Sequence, residues 1–93
     1  MKLAVEISKY PLDEQYIPPI KDFIERLNAH EAITVVTNTM STQVFGDCDT
    51  LMPILSAEIK TSFEKFGKMI FVCKFINADL EPSIGPDAEQ EVS

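Results

Sequence analysis

Several chemistry-bearing residues are scarce in this 93-residue chain, which holds one histidine, two cysteines and no tryptophan. The two cysteines, Cys48 and Cys73, lack the paired spacing of a metal site, and His30 has no neighbouring ligand motif. No nucleophile is paired with a base in a recognisable motif. We therefore expect no metal centre, no cofactor and no enzymatic activity.

Basic residues and long apolar runs are scarce as well. Eight lysines and arginines stand against 15 acidic residues, which leaves a net charge of −7. A negative chain repels nucleic-acid phosphates, so nucleic acid is not an expected partner. No apolar run approaches the roughly 20 residues of a membrane span, and the N-terminus alternates, with Glu6 inside it, unlike a signal peptide. These absences predict a cytoplasmic protein without membrane insertion.

The chain does contain a clear succession of strand and helix patterns. Strands show period-two alternation or β-branched runs, and helices show apolar residues three and four apart. Strands are predicted over residues 2–8, 32–38, 41–46 and 68–78, with helices over about 16–29 and from a cap at Asp47 or Asp49 to a stop at Gly67. The second helix is expected to bury a stripe of Leu51, Leu55, Ile59, Phe63 and Phe66.

Prolines are expected to mark the element ends. Pro11 should stop the first strand at Tyr10, because proline cannot donate to a strand ladder. Pro18 and Pro19 fit the first turn of the first helix, and Pro53 fits the first turn of the second, where a missing amide hydrogen has no intrahelical partner.

The order β-α-β-β-α-β predicts an α+β fold, the ferredoxin-like plait. Right-handed crossovers turn this order into a four-stranded antiparallel sheet with both helices on one face. This domain is expected to fill residues 1–78. Residues 79–93 are rich in proline, glycine and acid, and are predicted to be a disordered tail that the core does not need.

The last strand predicts self-association because it is apolar on both faces. Ile70, Val72 and Ile76 point one way, while Met69, Phe71, Cys73 and Phe75 point the other. A strand of this kind needs cover on both faces, yet the chain offers no third layer. We therefore predict that a second copy covers the helix-free face, in a dimer or tetramer.

The hairpin between the second and third strands is unusually polar. Residues 37–43 read T-N-T-M-S-T-Q, in which six of seven side chains carry a hydroxyl or an amide. Asn38, Thr39, Ser41 and Thr42 could form a pre-organised cradle for a small molecule, since short side chains lose little rotamer freedom on binding. The alternative is a purely structural role, because side chains of these types often form hydrogen bonds to the backbone of the hairpin itself.

Three segments together resemble the thiamine-binding, YkoF-like family of small ferredoxin-like proteins. They are S-K-Y-P-L at 8–12, Y-I-P-P-I-K-D-F-I at 16–24 and T-N-T-M-S-T-Q-V-F-G-D at 37–47. The resemblance runs from about Leu3 to Ala78. It implies an oligomeric, non-catalytic carrier or sensor of thiamine or its hydroxymethylpyrimidine part.

The resemblance also implies that Ser8 and Thr42 contact the ligand. Lys9 departs from the apolar residue that is common at its position in the family. Glu6 could accept from the exocyclic amine or balance the ring cation, and Tyr10 and Phe45 could stack on the ligand. Simple alternation nevertheless places Ser8 and Thr42 on opposite faces of the sheet, unless a bulge or strand twist re-aims one of them.

Two other readings compete with ligand binding. The chain could be a structural oligomerisation module, in which case changes at Ser41 or Thr42 would alter the oligomeric state and leave ligand affinity untouched. It could also be a small enzyme that uses His30, although His30 follows the first helix at an expected surface turn.

Overall fold

A computed structural model describes residues 1–12, 17–38 and 41–82. Along the chain the elements are β1 (Lys2–Pro11), α1 (Ile17–Asn28), β2 (Thr34–Thr37), β3 (Thr42–Asp47), α2 (Cys48–Phe66) and β4 (Met69–Ile76). The strands form one antiparallel sheet in the order β2-β3-β1-β4. This arrangement confirms the predicted ferredoxin-like plait.

The hydrophobic core lies between the two helices and one face of the sheet. Alternate residues of the two central strands point into it, as period-two alternation requires. Its buried members are Leu3, Val5, Ile7, Phe23, Leu27, Ile33, Val44, Leu51 and Leu55. In the described part of the chain, the opposite face of the sheet carries no helix. None of the helices in the described segments is both long and apolar enough to cross a membrane.

Strand β1 continues to Pro11, so the prediction that it stops before this proline is wrong. Pairing with β3 ends at Ile7 opposite Thr42, whereas pairing with β4 continues to Pro11 opposite Met69. The last residues of β1 therefore have a neighbour on one side only. Proline is tolerated there because its missing N–H can fall on the unpaired side.

Helix α2 begins at Cys48, directly after β3, without an intervening loop. Asp47 occupies the N-cap position, but its carboxylate makes no capping bond and accepts from the Met1 ammonium at 3.2 Å. Because the helix starts this early, Pro53 is its sixth residue and not part of the first turn, which corrects the prediction. Pro53 is exposed, so water can satisfy the carbonyl that its ring leaves unbonded.

The C-terminal half of α2 departs from the predicted apolar stripe. Gly67 ends the helix as expected, with φ +78° and its N–H donated to the Phe63 carbonyl oxygen at 3.0 Å. Phe63 itself is 44% exposed, whereas Ser62 is completely buried. Ser62 faces inward because its hydroxyl accepts a hydrogen bond from Arg26 of α1. A polar contact between the helices thus sets which side of this half of α2 is buried.

The chain after β4 returns toward the far edge of the sheet. The Thr34 hydroxyl of β2 donates to the carboxylate of Glu81, and Leu80 lies beside β4. Residues 83–93 of the predicted tail lie outside the described residues. That the tail is dispensable stays a prediction.

Candidate ligand-binding site

A small polar pocket opens between α1 and one end of the sheet, with a volume of about 160 Å³. Three strands and one helix contribute to it. Its lining residues are Lys9, Ile20, Ile24, Thr37, Asn38, Ser41 and Thr42. The two isoleucines lie one turn apart on α1 and form an apolar wall, while the strands and the connection between β2 and β3 supply the polar groups. We call this cavity the hairpin pocket.

The β2–β3 hairpin brings the polar side chains together. Thr37 pairs with Thr42 across the two strands. One step further, the Asn38 N–H donates to the Ser41 carbonyl oxygen at 2.8 Å. These bonds hold three of the predicted site residues, Asn38, Ser41 and Thr42, at one pocket. Thr39, which was also predicted, lies outside the described residues.

Thr42 is the most deeply placed of these residues, with none of its surface exposed. It lies on the same face of β3 as Val44, toward the helices. Its hydroxyl accepts a hydrogen bond from the Lys9 ammonium, with 2.6 Å between Nζ and Oγ1. A ligand that reaches Thr42 must therefore meet Lys9.

Lys9 is the charged residue of this pocket, and it was not among the residues predicted to contact the ligand. It shares its parity with Leu3, Val5 and Ile7, so it is a charged residue on the core-facing side of β1. The alternation of residues along β1 in the sequence already indicates this side for Lys9. The ammonium lies 5.8 Å from the centroid of the Phe23 ring, and burial lowers the pKa of Lys9 below its ordinary value.

Glu6 and Ser8 lie on the opposite face of the sheet from Thr42. Glu6 pairs with Gln43, and Ser8 pairs with Val72, in continuous registers along β1. The bulge that would re-aim either side chain is not present in these registers. The structure therefore does not bring Glu6 and Ser8 to the hairpin pocket, although their own ligand contacts stay predictions.

A second cavity of about 280 Å³ lies on the helix-free face. Its lining residues are Ala4, Val5, Glu6, Gln43, Phe45, Lys74, Ile76 and Leu80. The Glu6 carboxylate is 3.6 Å from the Lys74 ammonium, so a local positive charge already balances it. Phe45 belongs to this cavity, and Tyr10 pairs with Ile70 on the same face. Neither of the aromatic residues predicted to stack therefore lines the hairpin pocket.

The residues considered for metal binding or catalysis are placed elsewhere. In the described part of the chain, no three His, Cys, Asp or Glu side chains are grouped as a metal site. His30 follows the C-terminal end of α1, and its Nε2 lies 2.7 Å from the carboxylate of Glu58 in the middle of α2. Cys48 and Cys73 are free thiols, and burial raises the pKa of Cys73.

The fold and the hairpin pocket define a ferredoxin-like domain with a small polar site under its first helix. No protein-family model matches the chain, and no curated protein matches its sequence. Solved structures do resemble it. Protein SP2199 from Streptococcus pneumoniae has a TM-score of 0.78 at 22% identity, covering 98% of this chain and 99% of that one.

Two further solved structures share the fold at lower identity. Protein MJ1052 from Methanocaldococcus jannascii has a TM-score of 0.73 at 19% identity, over 98% of this chain and 94% of that one. TM0486 from Thermotoga maritima, a candidate thiamine biosynthesis/salvage protein, has a TM-score of 0.78 at 14% identity, over 98% and 99%. At these identities the likeness shows the fold alone.

Proposed function

We propose that this chain is a non-catalytic binding protein for thiamine or its hydroxymethylpyrimidine part. The observation that carries the proposal is the hairpin pocket, where Asn38, Ser41 and Thr42 converge beside an apolar wall. The shared fold with a candidate thiamine biosynthesis/salvage protein supports the same ligand class. The cytoplasm stays the expected location.

The chemistry of the pocket suits a substituted pyrimidine. An aminopyrimidine presents donors and acceptors on adjacent edges, and the Asn38 carboxamide and Ser41 hydroxyl offer both kinds of group. Ile20 and Ile24 offer a surface for the ring. The volume of about 160 Å³ is below the roughly 300–1,000 Å³ of sites for drug-sized ligands. The pocket of one chain therefore suits one ring of thiamine better than the whole molecule.

The quaternary part of the proposal is a second copy on the helix-free face. Ile70, Val72 and Ile76 of β4 are exposed there, and Tyr10 of β1 is exposed beside Ile70, with which it pairs. The same face carries both charge signs, at Glu6 and Lys74. A two-fold axis can place each charge opposite its complement while the apolar rows meet.

The burial of Thr42 argues against a subunit contact at this residue of the polar hairpin. If Thr42 were a subunit contact, its side chain would have to reach the surface of the chain. Instead it has no exposed surface and lies beneath Lys9. Self-association through the helix-free face and ligand binding at the hairpin pocket are thus spatially separate.

Isothermal titration with thiamine and with hydroxymethylpyrimidine tests the proposal. We expect saturable heat below millimolar ligand, and a loss of about tenfold in affinity in Thr42→Val, which removes one hydrogen-bonding group. The free energy of unfolding should change by no more than about 1 kcal/mol, since the two side chains have similar shapes and the partly exposed Lys9 ammonium can bond to water in place of Thr42.

Thr50→Val is the matched control, because Thr50 is exposed in the first turn of α2. This variant should bind like the wild type. Absence of heat with both ligands at millimolar concentration would refute the proposed function. A loss of stability in Thr42→Val as large as the loss of affinity would make Thr42 structural.

A further inference from the structure

The hairpin pocket contains a cation at a place where the proposed ligand would otherwise meet hydroxyl groups. Lys9 lies on the core-facing side of β1, and its ammonium contacts Thr42 on one side and the Phe23 ring on another. Removing an ammonium from water is unfavourable unless an opposite charge or several acceptors replace the water. Lys9 is only partly exposed, so an anionic group bound in the pocket could replace the water that completes the hydrogen bonds of its ammonium.

The described residues around the pocket supply only part of those hydrogen bonds. Thr42 accepts one of the three N–H groups of the ammonium. The other polar lining residues, Thr37, Asn38 and Ser41, are neutral. On α1 the nearby carboxylate of Glu25 is 3.9 Å from Lys21, and no ion pair involves Lys9 among the residues that the structure describes.

Charge and size together indicate which group completes the site. A positively charged ring such as thiazolium would be repelled by the ammonium. An anionic oxygen would instead be attracted, and lysine binds phosphate as a point charge. The neighbouring hydroxyls can donate to the same oxygens, and a pocket of about 160 Å³ accepts a compact group more readily than a two-ring molecule.

We propose that Lys9 is a specificity-determining residue that makes the hairpin pocket selective for a phosphate monoester. On the proposed function, on which this identification of the ligand rests, the preferred ligand is the phosphorylated form of hydroxymethylpyrimidine. Its phosphoryl oxygens accept from the Lys9 ammonium and the pocket hydroxyls. The net charge of −7 does not oppose this, because the interaction is local and more distant charges are screened by salt.

The first test compares three ligands on the full chain by isothermal titration: hydroxymethylpyrimidine, its phosphate monoester and thiamine. We expect the monoester to bind about 10- to 100-fold more tightly than the alcohol, the range of a charge-assisted hydrogen bond. Added salt should reduce this difference in affinity, because it screens the attraction between the ammonium and the phosphate. Equal affinity for the alcohol and the monoester would overturn the inference and leave the proposed function intact.

The second test removes the charge. Lys9→Met and Lys9→Gln should reduce the preference for the monoester to less than about threefold while they still bind the alcohol. Two neutral variants are used so that the result does not depend on one of them folding. Lys60→Met is the control, since Lys60 is exposed on α2 and its loss changes the net charge equally. A preference that survives in both Lys9 variants would overturn the inference.

A titration with inorganic phosphate tests the anion site at Lys9 independently of the proposed binding of a pyrimidine. If no pyrimidine ligand binds, the proposed function fails, and a phosphate titration followed by NMR then decides the role of Lys9. Shifts at β1 and the hairpin that vanish in Lys9→Met would support an anion site, because a free anion needs no pyrimidine contacts. No shifts in the wild type would overturn it.

Discussion

Arg26 is the residue on which the contact between the two helices depends most. Its guanidinium donates to the Asp22 carboxylate at 2.7 Å, to the Glu58 carbonyl at 2.8 Å and to the Glu58 carboxylate at 2.6 Å. It also donates to the buried Ser62 hydroxyl. Only arginine among the side chains offers five donors in a fixed planar arrangement. Three acceptor residues on two helices can therefore share one cation.

Arg26→Ala should lower the free energy of unfolding by about 2–4 kcal/mol, because it leaves Glu58 and Ser62 without their partner in a largely buried place. Urea denaturation followed by circular dichroism measures this change. Lys21→Ala is the control, since Lys21 makes only an exposed ion pair with Glu25. It should cost less than about 1 kcal/mol. Similar losses in the two variants would contradict the role of Arg26.

At the scale of elements, the α1–α2 pair is joined by charge as well as by apolar packing. Lys65 of α2 donates to Asp22 at 2.7 Å, and this bond, with those of Arg26, outweighs burial and lowers the pKa of Asp22. Burial raises the pKa of Glu58, but hydrogen bonds from His30 and Arg26 more than offset it, so the net pKa of Glu58 is lowered. Folding thus favours the ionised form of both carboxylates.

The free energy of unfolding should therefore decrease as the pH falls below 4.5, the ordinary pKa of glutamate. The sign follows from proton linkage: when the folded pKa is the lower one, the unfolded chain takes up protons first, and acid favours unfolding. Chemical denaturation at pH 7, 5, 4 and 3 measures this slope. Glu58→Gln should be less stable at pH 7 and show a shallower slope.

Glu25→Gln provides the comparison, because Glu25 is exposed and its carboxylate is 3.9 Å from Lys21. This variant should keep the steep acid dependence of the wild type. A Glu58→Gln slope as steep as that of the wild type would show that the acid sensitivity has another origin.

The elements also show where sequence patterns stop being informative. The order of strands and helices follows from local periodicity, and so does the alternation of β4. The extension of β1 through Pro11 was missed because it depends on which side of the strand β3 leaves unpaired. The inward position of Ser62 was missed because it depends on Arg26, 36 residues away in the chain.

At the scale of the whole molecule, the two faces of the sheet have different surroundings. One face contacts both helices and ends at the hairpin pocket. The other carries exposed apolar side chains of β4 together with Tyr10 of β1, and β4 is an edge strand. Rows of exposed apolar residues of this kind mark interaction surfaces. The proposed second copy would cover them without blocking the hairpin pocket.

Val72→Glu should weaken self-association by at least about tenfold, because it places a charge in the centre of the proposed contact. Sedimentation velocity at micromolar concentration measures the change as a shift toward monomer. Met52→Glu is the matched control: Met52 is 41% exposed on α2, against 46% for Val72. If the wild type sediments only as a monomer, the proposed self-association is refuted. If the two variants weaken association equally, the contact does not lie on the helix-free face.

The sequence by itself determined the plait, because hydrophobic periodicity is local and each strand and helix carries its own pattern. It also identified the polar hairpin, and the alternation of β1 places Lys9 on the same side as Leu3, Val5 and Ile7. Alternation already placed Ser8 on the opposite face from Thr42, but only the tertiary structure decided that no bulge re-aims it and that Lys9 contacts Thr42. The physical reason is strand register: the pairing of Ile7 with Thr42 joins residues far apart in the chain, and no local pattern specifies which of them meet.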